Sequence, residues 1–229
     1  MKELFLTLAI DTQTRAGASL RKQSAIELVT LAVLTPLFLY FAPRELGLYA
    51  AAAVLFFGFV AIRAMKARER IWPRVDVGWA DRLRRSAGLM FAVTAPTVVA
   101  FYGWCEWTGH EVSYVNLSLA FFLYMPWALL QQTIFVVYLL GRLRAVFPLA
   151  PPLLLAAVNG VAYGLVHLPD LRLVIVTMIA GMVWSYAYLR DRHLLPIAVS
   201  HAVLGSTFYY FVGQRDLFDD WLTLLNTLL

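Results

Sequence analysis

Apolar runs near the length that crosses the roughly 30 Å hydrocarbon core of a bilayer recur along the whole chain. The residues are 61% hydrophobic and 14% charged, and the mean hydropathy is +0.71, values outside the range of soluble domains of this size. The sequence therefore predicts an all-α, polytopic membrane helix bundle that forms a single transmembrane domain over residues 1–229. About seven transmembrane helices are expected, over 25–42, 46–62, 87–104, 117–140, 153–168, 171–189 and 195–212.

The distribution of Lys and Arg predicts how these helices cross the membrane. Basic residues cluster before the first run, after the second, after the fourth and after the sixth, and these positions all lie on one side of a seven-span path. By the positive-inside rule, the N-terminus is expected in the cytoplasm and the C-terminus outside. Residues 1–10 form a short apolar run and residues 216–229 an amphipathic one, so both are predicted to be interfacial helices.

Charge and cysteine content limit the partners and cofactors to be expected. The net charge of +5 is concentrated in loops, where it reflects topology and gives no reason to expect nucleic acid binding. The single cysteine, Cys105, excludes an intrachain disulfide and a cysteine-based metal cluster. No HExxH spacing is present, and no carboxylate at membrane depth accompanies the histidines of the apolar runs. We therefore predict no metal, no cofactor and the lipid bilayer as a partner.

Two adjacent amides, Gln131 and Gln132, lie about halfway along the fourth apolar run. A side-chain amide without a partner costs free energy in hydrocarbon, so such groups usually face the inside of a bundle or a cavity. One interpretation is structural, with each amide bonded to a neighbouring helix for about 0.6–2 kcal/mol. The other is that the pair belongs to a functional site.

Two histidines occupy later apolar runs. Asn159, Tyr163 and His167 recur every four residues and are predicted to line one face of a helix. Gly160 and Gly164 have the same spacing on an adjacent face and predict a close approach to another helix. The second histidine, His201, lies in the last apolar run. A lone membrane histidine is often a hydrogen-bonded core residue, but two of them together with polar neighbours favour a site.

The order and spacing of these residues resemble the CAAX protease and bacteriocin-processing family of intramembrane proteins. That family has a pair of Glu followed by an Arg, then an aromatic residue four before a His, and then a His four before an Asn or Asp. The resemblance covers about residues 124–211, the family-like core of the chain. The matching positions are Gln131 and Gln132 for the paired Glu, Val136 for the Arg, Tyr163 and His167 for the second motif, and His201 and Gly205 for the last.

The resemblance implies a glutamic-type endopeptidase that cleaves a hydrophobic or membrane-anchored peptide. Carried over by position, Gln131 or Gln132 would hold the water, His167 would assist it, and His201 would donate to the oxyanion. Asn159, Tyr163 and Gly205 are the corresponding candidates for substrate binding. The resemblance also implies an inner or plasma membrane of a bacterium or archaeon.

Two hypotheses follow, because a carboxamide can orient water but cannot take its proton. The first is a divergent endopeptidase that uses His167 as its base. The second is a catalytically inactive family member that binds a membrane peptide, a lipid or a protein partner as an immunity, regulatory or assembly factor. Both predict that His167, His201 and one of the two glutamines line a common cavity.

Overall fold

The computed structural model describes residues 17–33, 59 and 76–228. Residues 17–33 are helical (α1) and include the start of the first predicted span. The rest of that span, the second span apart from one helical residue, and the predicted helix over residues 1–10 lie outside the described residues.

All regular secondary structure in the described residues is helical, as the apolar runs predict. Helix α3 continues into a π-helical segment, π1, and then into α4, and helix α7 likewise continues into a second segment, π2. The bounds are α2 Trp79–Thr108, α3 Tyr114–Gln132, π1 Thr133–Leu139, α4 Leu140–Val146, α5 Pro152–Leu165, α6 Leu171–Asp191, α7 Leu194–Thr207, π2 Phe208–Val212 and α8 Leu217–Leu228.

Four helices of the described residues are long and apolar enough to cross a membrane, so the chain is an integral membrane protein. They are Trp79–Thr108, Tyr114–Val146, Leu171–Asp191 and Leu194–Val212, and they correspond to the third, fourth, sixth and seventh predicted spans. Helix α5 is apolar but has only 14 residues, which at about 1.5 Å per residue is shorter than the hydrocarbon core. The count of seven spans for the whole chain stays a prediction.

The predicted fifth span, 153–168, ends earlier than expected. Helix α5 stops at Leu165, and the amide of His167 turns back to the carbonyl of Gly164. The residue that precedes a proline is disfavoured in the helical conformation, so Pro169 stops the helix before it is reached. His167 therefore lies in a turn just beyond α5 rather than inside a helix.

The chain divides into two compact units. The first unit contains the described residues 17–33, 59 and 134–186, and the second contains 76–133 and 187–228. The boundary at residues 133 and 134 falls at the start of π1. Gln131, Gln132 and His201 belong to the second unit, whereas Asn159, Tyr163 and His167 belong to the first.

In the second unit, α7 packs against both α2 and α3. The α3 and α7 contact uses small side chains: Ala120, Ala128 and Ala202 are all fully buried. Small residues let membrane helices approach closely. The hydroxyls of Thr94 in α2 and Ser200 in α7 share a hydrogen bond of 2.7 Å. This packing places the middle of α7, with His201, beside the end of α3.

In the first unit, α5 lies against the part of α6 that belongs to the same unit. A Cβ atom at Gly160 would lie 2.7 Å from the carbonyl oxygen of Met178, and one at Gly164 would lie 2.7 Å from the carbonyl oxygen of Val174. These distances are shorter than van der Waals contact, so only glycine fits. The predicted close approach on the glycine face is confirmed.

Candidate functional site

Gln132 and His201 form the centre of the polar group in the second unit. Gln132 is the last residue of α3 and is fully buried, and His201 in α7 is 3% exposed. The amide nitrogen Nε2 of Gln132 lies 3.2 Å from Nδ1 of His201. An amide nitrogen can only donate, so Nδ1 accepts and the neutral imidazole carries its proton on Nε2. His201 is thus arranged as a hydrogen-bond donor through Nε2.

Tyr124 closes this group on the side of Gly205. Tyr124 lies two helical turns before Gln132 in α3, and its ring meets the ring of His201 edge to face at 5.7 Å. A Cβ atom at Gly205 would lie 2.5 Å from Cε1 of Tyr124. The phenol ring therefore fills the space into which a side chain at position 205 would project.

Gln131 offers a hydrogen-bond acceptor next to this group. Its side-chain oxygen Oε1 is buried and accepts no hydrogen bond within the described part of the chain. A buried polar atom without a partner is rare and costs about 1–3 kcal/mol. The arrangement can be explained if this oxygen accepts from a water molecule or from a bound peptide amide.

His167 has its ring fixed by contacts inside the first unit. Its Nδ1 lies 2.9 Å from the carbonyl oxygen of Tyr163 and 3.3 Å from the hydroxyl of Thr177. That hydroxyl already donates to the carbonyl oxygen of Leu173 at 2.6 Å. Nδ1 therefore carries the proton and donates it, and Nε2 of the neutral ring has the lone pair. All hydrogen bonds of the ring within the described residues use Nδ1.

Asn159 and Tyr163 support this histidine from α5. Tyr163 is fully buried, and its ring stacks parallel to that of His167 at 6.2 Å and meets the ring of Trp184 at 5.4 Å. Asn159 is also fully buried and donates from Nδ2 to the hydroxyl of Ser185 at 2.7 Å. The predicted stripe is present in α5 for Asn159 and Tyr163, which contact α6, but it does not extend to His167, because the helix ends at Leu165.

The structure thus brings Gln132 together with His201, and Asn159 and Tyr163 together with His167. The common cavity that would join His167 to the glutamine pair stays a prediction. Among the described residues, no group of three or more His, Cys, Asp or Glu side chains is arranged to hold a metal ion.

The sequence patterns did not point to Tyr124, and they did not reveal that the side chains of His193 and Glu27 are little exposed. His193 follows the basic end of the sixth apolar run, where side chains are usually solvated, yet it is 3% exposed and its Nε2 bonds to the carbonyl oxygen of Trp79 at 3.1 Å. Glu27, whose side chain is 10% exposed, accepts from Nε of Arg142 and from the hydroxyl of Tyr138, both at 2.7 Å. Glu27 and Arg142 are 115 residues apart, so no local pattern could have revealed the pair.

Comparison with known proteins bears directly on this arrangement. Residues 113–207 match the family model described as Type II CAAX prenyl endopeptidase Rce1-like. Over these residues the chain is similar to the CAAX protease family. The family match runs from the start of α3 to the end of α7 and includes all four polar residues at the motif positions, Gln131, Gln132, His167 and His201. No curated protein and no solved structure matches the chain.

The family match covers all of the polar residues at the motif positions. The family match begins at Ser113, the N-cap of α3, and ends before Phe208, so it covers both the Gln132 and His201 contact and the turn that holds His167. It supports a protease-type origin for the site. This chain differs from the motif described above in having amides at 131 and 132 in place of the paired Glu, and a glycine at 205 in place of Asn or Asp.

Proposed function

We propose that the protein is a divergent intramembrane endopeptidase in which a neutral histidine takes the part of the catalytic glutamate. Its substrate is a hydrophobic or membrane-anchored peptide. The observation that carries the proposal is the tautomer of the His167 ring. Its Nδ1–H donates to the carbonyl oxygen of Tyr163 at 2.9 Å, so Nε2 keeps the basic lone pair. General bases are most effective when their lone pair is available near neutral pH, as it is in imidazole.

The chemistry follows from these protonation states. Nε2 of His167 accepts a proton from water, and the water oxygen bonds to the carbonyl carbon of the peptide. Nε2–H of His201 donates to the oxyanion that forms, a contribution that enzymes commonly use to stabilise this intermediate. The imidazolium of His167 then returns the proton to the leaving amine as the carbon–nitrogen bond breaks, which yields an acid and an amine.

The glutamine pair orients the reactants without transferring protons. Oε1 of Gln131 is a buried acceptor without a partner in the described residues and suits the second hydrogen of the water or a peptide N–H. Gln132 sets the tautomer of His201 through its amide nitrogen. In this proposal both amides position groups, and neither is a base.

A second candidate function is binding without cleavage. It is favoured by the contact between Tyr124 and Gly205, because the phenol ring occupies the place where a second polar donor would project. A site that has exchanged this donor for an aromatic ring and both carboxylates for amides suits recognition of a membrane peptide, a lipid or a protein partner. Such a protein would act as an immunity, regulatory or assembly factor.

The deciding experiment is reconstitution of the purified protein in liposomes with a library of tagged membrane peptides. We expect cleavage by the unchanged protein and by His110→Ala, and no cleavage by His167→Ala. His110 lies in the loop between α2 and α3 and is a control for loss of a histidine as such. Peptide binding without cleavage in all three proteins would support the second candidate instead.

Restoring the carboxylates gives a separate test of the base. If His167 is the base, Gln131→Glu with Gln132→Glu is expected to leave the cleavage dependent on His167. If the double substitution creates activity in a protein that had none, the present site is a disabled one and the endopeptidase proposal fails.

A further inference from the structure

A buried carboxylate in the second unit holds two arginines side by side, away from the site described above. Asp191 is the last residue of α6 and is fully buried, although its neighbours Arg190 and Arg192 are exposed. Arg85 lies in the second turn of α2. The end of α6 and the start of α2 are both ends of candidate membrane spans, where headgroups meet the protein.

The contacts of Asp191 fix both guanidinium groups. Its Oδ1 accepts from Nε of Arg85 at 3.3 Å, and its Oδ2 accepts from Nε and Nη2 of Arg190 at 2.8 and 2.6 Å. Nη2 of Arg190 also donates to the carbonyl oxygen of Arg85 at 3.3 Å. One carboxylate therefore binds two arginines, and the cluster of three side chains keeps a net positive charge.

The two arginines still present N–H groups to the outside. Their side chains are 55% exposed for Arg85 and 40% exposed for Arg190, whereas Asp191 has no exposed surface. A guanidinium group has five N–H donors in a planar fork that matches the oxygens of a phosphate. Because Asp191 restricts the side chains before any ligand arrives, less conformational freedom is lost when an anion binds.

We propose that Arg85 and Arg190, held by Asp191, form a binding site for the phosphate group of an anionic phospholipid. The lipid is favoured as the source of the phosphate because the cluster lies at the ends of two candidate spans, beside Trp79. Trp79 is the first residue of α2 and contacts the ring of His193 at 5.4 Å, and tryptophan is enriched at the membrane interface. Basic pockets between membrane helices are known to bind lipid headgroups.

Arg84 is the control that distinguishes a specific phosphate site from the general attraction between basic residues and anionic membranes. It is adjacent to Arg85 in sequence, but its side chain is 86% exposed and its only ion pair among the described residues is with Asp81 at 3.5 Å. Removal of any arginine near an anionic surface weakens attraction by about fivefold. A built phosphate site requires a larger loss for Arg85 and Arg190 than for Arg84.

The test uses the full-length protein in detergent, titrated with phosphatidylglycerol or phosphatidylcholine, with bound lipid counted by native mass spectrometry. We expect phosphatidylglycerol to bind in preference to phosphatidylcholine. Arg85→Ala and Arg190→Ala should each reduce phosphatidylglycerol binding by at least about tenfold, as expected for a lost charge-assisted hydrogen-bonding group. Arg84→Ala should reduce it by no more than about fivefold.

Two further measurements keep the result interpretable. Arg85→Lys and Arg190→Lys retain the charge and the long side chain, so both variants are expected to fold like the unchanged protein. Because they lack the planar guanidinium group, they should still weaken phosphatidylglycerol binding more than Arg84→Ala does. Equal losses for all three alanine variants, or equal binding of the two lipids, would overturn the site. Displacement of the lipid by millimolar inorganic phosphate would overturn the assignment to a lipid and indicate a free anion.

Discussion

At the scale of single residues, the contact between Tyr124 and Gly205 most clearly sets this chain apart from the motif it resembles. The ring of Tyr124 stacks on Trp221 at 6.3 Å and meets His201 at 5.7 Å, so it is held from two sides. Its Cε1 is the atom closest to the Cβ position of Gly205, at 2.5 Å. The polar residue of the family motif cannot be added here while the ring stays in place.

Gly205→Asn is therefore expected to destabilise the protein by about 1–3 kcal/mol, the usual cost of forcing extra atoms into a packed site. Tyr124→Phe should not relieve the cost, because the clash is with the ring rather than with the hydroxyl. Tyr124→Leu combined with Gly205→Asn should recover part of it. Thermal unfolding in detergent compares the three variants with the unchanged protein.

Gly103→Asn is the matched control, since a Cβ atom at Gly103 meets no atom within 4 Å. It should change the melting temperature little. Equal destabilisation by the substitutions at 103 and 205 would show that the effect comes from replacing a helical glycine and not from Tyr124.

The residue scale also shows where sequence reasoning stops. Spacing alone was enough to select Gln131, Gln132, His167 and His201 as candidates, since motif positions can be read from the sequence. It did not identify Tyr124, whose contact with Gly205 joins residues 81 positions apart across two helices. Nor could it show that His193, which follows basic residues in the sequence, is buried, because this burial depends on packing against Trp79.

At the scale of helices, the packing of α5 on α6 depends on two glycines that leave no room for a side chain. The atoms closest to a Cβ at Gly160 are backbone atoms of Met178 and Met182, at 2.7 and 2.8 Å. A backbone cannot rotate away as a flexible side chain can. Gly160→Ala should therefore separate the helices and destabilise the protein by about 1–3 kcal/mol.

Gly141→Ala in α4 is the control from the same unit, because a Cβ atom there has open space. It should be neutral or stabilise the helix by up to about 1 kcal/mol, since alanine is the better helix former. Resistance to unfolding in sodium dodecyl sulfate compares the two. A loss of stability in Gly141→Ala as large as in Gly160→Ala would contradict the packing argument.

Helix α8 is attached to the second unit at its first turn by Asp216. One carboxylate oxygen accepts from the hydroxyl of Tyr210 and from the amides of Phe218 and Asp219, at 3.1 and 3.2 Å for the amides. The other accepts from the side chain of Asn116 at 2.7 Å. Asp216 is thus both the N-cap of α8 and its link to α3.

Asp216→Ala should release the start of α8, with a cost of about 1 kcal/mol for the cap alone. Hydrogen exchange of the backbone amides at residues 217–219 should become faster. Asp219→Ala is the control, because Asp219 is also an acid in the first turn but is exposed. Equal acceleration in both variants would mean that only the negative charge at the helix start matters.

The same contacts predict how α8 responds to acid. Burial raises the pKa of Asp216, but hydrogen bonds from Tyr210, Asn116 and the amides of Asp219 and Phe218 outweigh it and bring the pKa below its ordinary value of 3.8. A carboxyl whose pKa is lowered by folding stabilises the fold above its unfolded pKa and loses this contribution as the pH falls through the folded pKa.

Protection of the α8 amides should therefore stay constant from neutral pH down to about pH 5 and decline at pH values below the ordinary pKa of an aspartate. Hydrogen exchange, corrected for the intrinsic pH dependence of the rate, measures this protection. In Asp216→Ala the decline should be absent. A decline of the same size in that variant would assign the acid response to other groups.

At the scale of the whole molecule, hydrophobic runs were enough to predict an all-helical membrane protein, because burial in lipid requires each helix to be long and apolar. The runs could not predict that α5 ends at Leu165, since this end is set by Pro169 and by the turn at His167. They could not predict the ion pair between Glu27 and Arg142, because partners 115 residues apart meet only through folding. Charges within an apolar run therefore need coordinates to be interpreted.

The predicted orientation, with the C-terminus outside, can be tested on the whole protein with engineered cysteines in a Cys105→Ser background. Glu111 precedes α3 and Arg144 lies near the end of α4, so the two flank the span Tyr114–Val146, and Asp220 lies in α8. All three are exposed. The positive-inside rule places Arg144 in the cytoplasm and the other two outside.

In intact cells, a membrane-impermeant maleimide should therefore label Glu111→Cys and Asp220→Cys but not Arg144→Cys. After the membrane is permeabilised, all three should react, which controls for burial of the thiol. Labelling of Arg144→Cys alone in intact cells would show that the orientation is opposite to the predicted one. Labelling of Glu111→Cys without Asp220→Cys would mean that an even number of crossings separates α4 from α8. In that case the fifth and short helix, α5, would not cross the bilayer.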